Sequence, residues 1–387
     1  VDREPGSDAA RHPMMFARAR LARMSEDSAR LRLAARPLRG PAGPGPRRPL
    51  ATAALAIAAV GASLLAGEAL VRARGHGPWT PDPVDARVEP GGSLYEPDPV
   101  LGYAPRPGSF EVTLASGLRF RASHDAERHR VTGSARVAPG DGDPAGSEIW
   151  IFGDSFSYGW ALDDDRTYPW LLQAALPGQR VVNFAVGGYG TLQALLQLEA
   201  ALRARPRPAL VVLAHNFFHD PRNTFSRLRR REVAPWNRLG PILHPLARLA
   251  PEGGLALGSA PVAYRELPGM RRSALANLAA TVWDLLDDRR LRSDEVTRRL
   301  LARFVAAVDA AGAPAVVATL EASPANAPTH AFEASLGARS ADVSVDLRRR
   351  ENTNLPHDGH PSALAHRRYA ARLAPVIRDA LTAGASR

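Results

Sequence analysis

Ser155 ends the apolar run Ile149-Trp150-Ile151-Phe152-Gly153-Asp154-Ser155, and far downstream Asp358 and His360 stand in Asp358-Gly359-His360-Pro361. These residue types suit acyl transfer. A serine hydroxyl alone is a poor nucleophile. A histidine within reach can take its proton, and a carboxylate can orient that histidine and stabilise its charged form. Position matters as much as type, because the carboxyl end of a buried strand is where open α/β sheets place their ligands. Gly187 and Gly188 follow a second apolar run.

The same residues admit other readings. Ser155 could cap a helix that follows the strand. Asp358 could cap a turn, and His360 could be a solvated loop residue. His215, His219 and Asp220, with His357, Asp358 and His360, could ligate a metal. Tyr158 and Trp160 either line a cleft or cover a sheet edge. The cluster Arg227, Arg229, Arg230 and Arg231 reads as a solvated face, with contact to an acidic polysaccharide or to lipid headgroups as the alternative.

Strands must carry these groups, and the pattern supplies five. They read as Glu148–Gly153, Arg180–Val186, Pro208–Ala214, Ala313–Leu320 and Ala341–Leu347. Helices are expected across Thr167–Ala175, Leu192–Arg203 with Thr191 as cap, 270–287, 293–311 and Ser362–Leu381. Near-continuous β-branched strands alternating with helices argue for a mainly parallel sheet covered on both faces. Neither a dinucleotide fingerprint nor a phosphate loop follows the first strand. Residues 221–312 interrupt the alternation and read as a helical insertion. Before residue 147, Phe110–Leu114 and Leu118–Ala122 read as a hairpin around Ala115-Ser116-Gly117. Residues 73–98 and 136–146 read as Pro-, Gly- and Asp-rich connections.

Three blocks now coincide with a known pattern. Gly153-Asp154-Ser155-Phe156 resembles the first block of the SGNH or GDSL hydrolases. Asn183-Phe-Ala-Val-Gly-Gly188 resembles their second block, and Asp358-Gly359-His360-Pro361 their last, followed by a C-terminal helix. The resemblance spans about residues 147–385. It implies a three-layer α/β/α, flavodoxin-like fold with a mainly parallel five-stranded sheet. It also implies Ser155 as nucleophile, His360 as base, Asp358 as orienting acid and the Gly188 N–H as an oxyanion donor, with no cofactor and no metal. The spacing departs in one place, for many members place the aspartate three residues before the histidine, where this chain has His357. The third block, usually Gly-x-Asn-Asp, is degenerate in Ala214-His-Asn-Phe-Phe-His-Asp-Pro-Arg-Asn223. Asn216 is the expected side-chain donor; alignment by strand end points instead near Phe218 or His219, and Asn223 is a third candidate.

The implied activity is hydrolysis of an acyl ester, with an acylated glycan or lipid as the expected substrate class. The same triad would also serve an O-acetyltransferase acting on a cell-envelope polysaccharide, and a decayed site would leave a glycan-binding protein. The formal charge is +11, and all 50 basic residues are arginine, none lysine. That bias is weak evidence for nucleic acid, and no nucleic-acid partner is expected. With no cysteine, disulfides and thiolate metal sites are excluded.

Residues 1–49 hold eleven arginines against five acidic residues and read as disordered. Leu50–Gly67 is an uncharged run, and a spanning helix needs about 17–25 mainly apolar residues. Residues 50–71 are therefore expected to be a signal anchor, with a cleaved signal peptide or a buried helix as alternatives. The arginine excess before it predicts a cytoplasmic N-terminus and a catalytic part in the periplasm or outside the cell, on a bacterial inner membrane. Residues 72–146 would form a linker and small β appendage, and residues 147–387 the hydrolase domain.

Overall fold

A computed structural model describes residues 49–81, 86–133 and 148–385. The expected disorder of residues 1–49 and the loop at 136–146 lie outside the described residues, but for Pro49. The chain divides into two compact units, Val1–Gly77 and Pro78–Arg387. In the first, helix α1 (Pro49–Ala73) contains a 23-residue stretch, Ala51–Ala73, that is long and apolar enough to cross a membrane; a signal sequence would meet the same test.

The second unit opens with short antiparallel strands. β1 (Ala86–Glu89), β4 (Gly108–Leu114) and β5 (Arg119–His124) form one sheet in the order β1-β4-β5; β2 (Tyr95–Asp98) and β3 (Gly102–Pro105) form a ribbon. The expected hairpin is β4–β5. β1 and β2 fall where the sequence reads as a connection. Each is four residues long, too short for alternation to stand out against Pro and Gly.

The alternating region follows. β6 (Glu148–Phe152) leads to a single turn, α2 (Ser155–Tyr158), and then to α3 (Tyr168–Ala175). β7 (Arg180–Asn183), α4 (Thr191–Ala204) and β8 (Leu210–His215) come next. The insertion holds α5 (His219–Asn223), α6 (Arg227–Val233), the hairpin β9 (Leu243–Leu249) and β10 (Leu255–Pro261), and the helices α7 (Ala274–Arg290) and α8 (Ser293–Ala310). β11 (Ala315–Glu321), α9 (Ala327–Ser335), β12 (Arg339–Val345) and α10 (Ala363–Ala385) complete the unit. The insertion is thus not purely helical. Pro245 interrupts the strand signal of β9, and a two-stranded edge ribbon tolerates it.

The central sheet runs β12-β11-β8-β6-β7, every pair parallel. Numbered by their order along the chain, the strands lie 2-1-3-4-5, the flavodoxin-like order, whose switch point falls between β6 and β8. Both faces are buried, which is why β6 reads as an unbroken apolar run. Ile149 and Ile151 join Val212, Leu320, Tyr168, Leu373 and Ile377 on one side. Trp150 and Phe152 join Leu213, Leu195, Leu300 and Phe304 on the other. The crevice at the carboxyl ends of β6 and β8 is therefore where a ligand would bind.

Candidate active site

The turn after β6 presents Ser155. Asp154, not Ser155, caps α2, for its Oδ1 accepts the Phe156 N–H at 2.8 Å. The serine hydroxyl is left for other work. His360 Nε2 lies 3.0 Å from Ser155 Oγ, and His360 Nδ1 lies 2.7 Å from Asp358 Oδ1. Because Nδ1 faces a carboxylate it carries the proton, and Nε2 accepts from the serine. The short Asp-x-His spacing has a local cause. The same Asp358 Oδ1 accepts the backbone N–H of His360 at 2.7 Å, so one oxygen fixes both the turn and the ring. Trp160 Nε1 donates to Asp358 Oδ2 at 3.3 Å. His357 stands elsewhere, its Nδ1 3.3 Å from the Ser116 carbonyl.

Trp160 and Phe156 set their rings against His360, and Phe218 stands edge-on to Phe156 at 5.4 Å. Tyr158, by contrast, is fully buried against β4 and β5 and its hydroxyl bonds His124 Nε2 at 2.8 Å. Of the two aromatics beside the serine, Trp160 touches Asp358 and His360, and Tyr158 belongs to the core of the β appendage.

The loop after β7 carries Gly188 at φ 84°, a left-handed conformation that glycine adopts without cost. A Cβ there would stand 2.6 Å from Tyr103 Oη and 2.8 Å from an Arg229 guanidinium nitrogen. Three successive carbonyls of this loop are each held by a side chain. Tyr103 Oη donates to Gly187 O at 2.7 Å, Arg229 to Gly188 O at 2.8 Å, and Arg222 to Tyr189 O at 2.9 Å. In a trans peptide the C=O and the next N–H point opposite ways. Tyr103 therefore aims the Gly188 N–H away from itself. Burial raises the pKa of the Tyr103 hydroxyl, which keeps it a donor. Among the described residues no hydrogen bond takes the N–H of Gly188 or of Ser155. Asn183 ties the same loop to α2, with Nδ2 on Ser157 O at 3.0 Å and Oδ1 accepting from Ala185 N at 3.1 Å.

The residues after β8 take different places. Asn216 is buried; its Oδ1 accepts the Glu321 N–H at 3.3 Å, and its Nδ2 has no partner among the described residues. Asn223 is spent within the fold, its Oδ1 accepting from Leu192 N at 2.9 Å and its Nδ2 donating to Thr297 Oγ1 at 2.8 Å. That bond serves the start of α4, whose cap is Gly190 rather than Thr191. His219 reaches the serine turn, with Nε2 2.9 Å from Asp154 Oδ2 and Nδ1 3.1 Å from Thr191 Oγ1. Burial lowers its pKa to about 4, so the ring is neutral, donating through Nε2 and accepting through Nδ1. Burial would by itself raise the Asp154 carboxyl, but the bond from His219 and the charge of Arg222 hold it below the usual range. Among the described residues no group of three or more histidines and acids could hold a metal ion, although the rings of His215 and His219 stand edge to face at 5.1 Å. His215 faces Glu333, His219 faces Asp154 and His357 faces Ser116.

The arginine cluster on α6 is not a solvated face. Arg227 and Arg231 both pair with the fully buried Asp284, Arg230 donates to Phe225 O, and Arg229 holds the Gly188 carbonyl. Glu321, at the carboxyl end of β11, has no counterpart in the sequence reading. Burial, with the nearby charges of Asp154 and Asp346, raises its pKa to about 7, and its Oε2 has no partner among the described residues. The folded carboxyl therefore keeps its proton where an unfolded one, near 4.5, loses it. The stability this carboxyl contributes is fullest below pH ~4.5, falls as pH rises from there to ~7, and stays reduced above. We expect Glu321→Gln to raise stability at pH 8 by up to ~3 kcal/mol and to flatten this slope, as urea titrations at pH 5 and pH 8 would measure.

A second expectation concerns the loop clamp. Tyr103→Phe removes the hydrogen bond that orients the Gly187–Gly188 peptide without emptying the space. Were an acyl ester turned over at this site, kcat should fall about 10-fold with KM within about twofold, because the bond matters most when charge develops on the reacting oxygen. Steady-state kinetics separate the two, and a change confined to KM would contradict the positioning role.

No protein-family model matches the chain, and no curated protein matches it. Solved structures resemble it in fold at low identity. TesA aligns at 16% identity with a TM-score of 0.37, over 60% of this chain and 98% of its own. A member of the lipolytic G-D-S-L family from Veillonella parvula aligns at 12% with a TM-score of 0.34, over 59% and 97%. A putative lipolytic protein of that family from Desulfitobacterium hafniense aligns at 11% with a TM-score of 0.33, over 59% and 99%.

Proposed function

We propose that this chain is a serine esterase of the SGNH type, hydrolysing an acyl ester through a covalent acyl-enzyme. The observation that carries the reading is the continuous hydrogen-bonded line Asp358–His360–Ser155, with links of 2.7 and 3.0 Å, at the switch point of a doubly wound sheet. Ser155 Oγ attacks the ester carbonyl as His360 Nε2 takes its proton. The oxyanion meets the free N–H groups of Ser155 and Gly188; one such donor is typically worth ~3–4 kcal/mol. His360 then returns the proton to the departing alkoxide. Water, deprotonated by His360, attacks the acyl-enzyme, releasing the acid and restoring Ser155. His219 and Asp154 act through the turn that holds the serine. Asn216, the side-chain donor expected from the sequence, is buried with its Oδ1 on the Glu321 N–H and its Nδ2 without a partner among the described residues, so the reading keeps that amide as the side-chain donor beside the two backbone N–H groups.

An acylated glycan or lipid of the cell envelope is the substrate class we infer. What supports it is the apolar helix α1 and the arginine excess before it, which favours a catalytic unit in the periplasm of a bacterial inner membrane. The test is p-nitrophenyl acetate turnover by the full chain beside Ser155→Ala. Serine-dependent turnover supports the reading, and equal rates for both proteins would remove it. Adding a sugar acceptor separates hydrolysis from O-acetyl transfer, because only transfer yields acylated sugar.

A further inference from the structure

Helix α7 is amphipathic with the wrong side in. Its inward face is polar. Asp284 is fully buried and binds Arg227, Arg231 and the Tyr264 hydroxyl, Asn277 and Thr281 take further bonds from Arg231, and Asp288 is buried. The arginines of α6 demand this, since a buried guanidinium needs carboxylates and amide oxygens around it. The apolar residues are left on the other arc. At 100° per residue, Leu275, Ala279, Val282, Trp283 and Leu286 share one stripe. Val282, Trp283 and Leu286 are 40%, 57% and 56% exposed. An exposed apolar helix stripe of this kind marks an interaction surface.

We propose that this face of α7 rests in the headgroup region of an anionic lipid bilayer. Exposed arginines bracket the stripe. Arg271, which also pairs with Glu266, and Arg272 precede the helix, and Arg289 and Arg290 lie in its last turn. Two acidic side chains of the helix face α6, Asp284 pairing with Arg227 and Arg231, and Asp287 accepting the backbone N–H of Arg227 at 2.8 Å. An apolar stripe carrying Trp and Leu, ended by Arg, is the composition of helices that lie in a membrane interface. The chain also enters this unit beside α7. Trp79 donates its N–H to the Met270 carbonyl at 2.9 Å, and its ring takes Arg231 and Arg271 on its face. Five residues, 74–78, lie between the end of α1 and Trp79, a reach of at most about 20 Å. A bilayer that held α1 would therefore lie within reach of this surface. The inference goes beyond the esterase reading and does not depend on it.

The absence of cysteine makes the test direct. A single thiol from Leu286→Cys is labelled with a fluorophore in the full chain, in vesicles of phosphatidylcholine and phosphatidylglycerol. A thiol from Ser335→Cys, at an exposed position on α9, reports the background. Nitroxide on the lipid acyl chains should quench the Leu286 label at least about twofold more than the Ser335 label. Trp283→Glu should bring the two together. Equal quenching at both sites would overturn the proposal. So would energy transfer between differently labelled chains without lipid quenching, which would show that a second copy covers the face. Circular dichroism of each labelled chain establishes that it is folded.

Discussion

Replacing Ser155 by Ala is expected to lower ester turnover by about 10⁴-fold or more, leaving substrate binding nearly intact. The side chain is small, and its hydroxyl touches His360 Nε2 at 3.0 Å, so the substitution removes the nucleophile with little disturbance to packing. Asp154 still caps the turn. The loss should be non-additive. Ser155→Ala combined with His360→Ala should be about as slow as either alone, because the two groups act in one proton transfer. Measuring kcat for the two single variants and the double variant checks this. Multiplicative losses would mean that the histidine works on something other than the serine.

Asp358→Asn should cost about 10²–10⁴-fold in kcat while the fold stays intact. An asparagine oxygen can still accept the His360 backbone N–H, so the turn survives. The same oxygen can still accept from His360 Nδ1, but the amide carries no charge to stabilise the imidazolium, and its nitrogen meets the Trp160 Nε1 donor where Oδ2 accepted. Thermal melting beside kinetics separates the effects, with a large fall in rate and a shift in Tm of a few degrees at most. Retention of full activity would show that Asp358 only builds the turn.

Much of this arrangement is legible in the chain itself. The strands β6, β8 and β11 are buried on both faces, so their apolar runs are continuous and end close to where sequence places them. The grouping of Ser155, His360 and Asp358 is legible because Asp358 and His360 share one turn and Ser155 follows close after the end of β6. What failed to show has physical reasons. After β8 the chain turns immediately into α5, so counting from the strand end gives several candidates; which one meets Asp154 depends on that turn. Tyr103 lies on a four-residue strand, and its role depends on a carbonyl 84 positions away. The arginines of α6 look like a surface because sequence does not reveal that Asp284, on another helix, faces them. The inverted periodicity of α7 is the trace that pairing leaves: polar residues at 277, 281, 284 and 288 on the arc that should have been apolar.

The central claim is that Ser155 is a nucleophile activated by His360. A fluorophosphonate ester, which reacts only with an activated hydroxyl, tests it most directly when the modified protein is digested and its peptides are weighed. One stoichiometric adduct is expected on the peptide containing Ser155, formed slowly or not at all in His360→Ala and absent in Ser155→Ala. An unmodified Ser155, or an adduct that forms equally fast without His360, would contradict it.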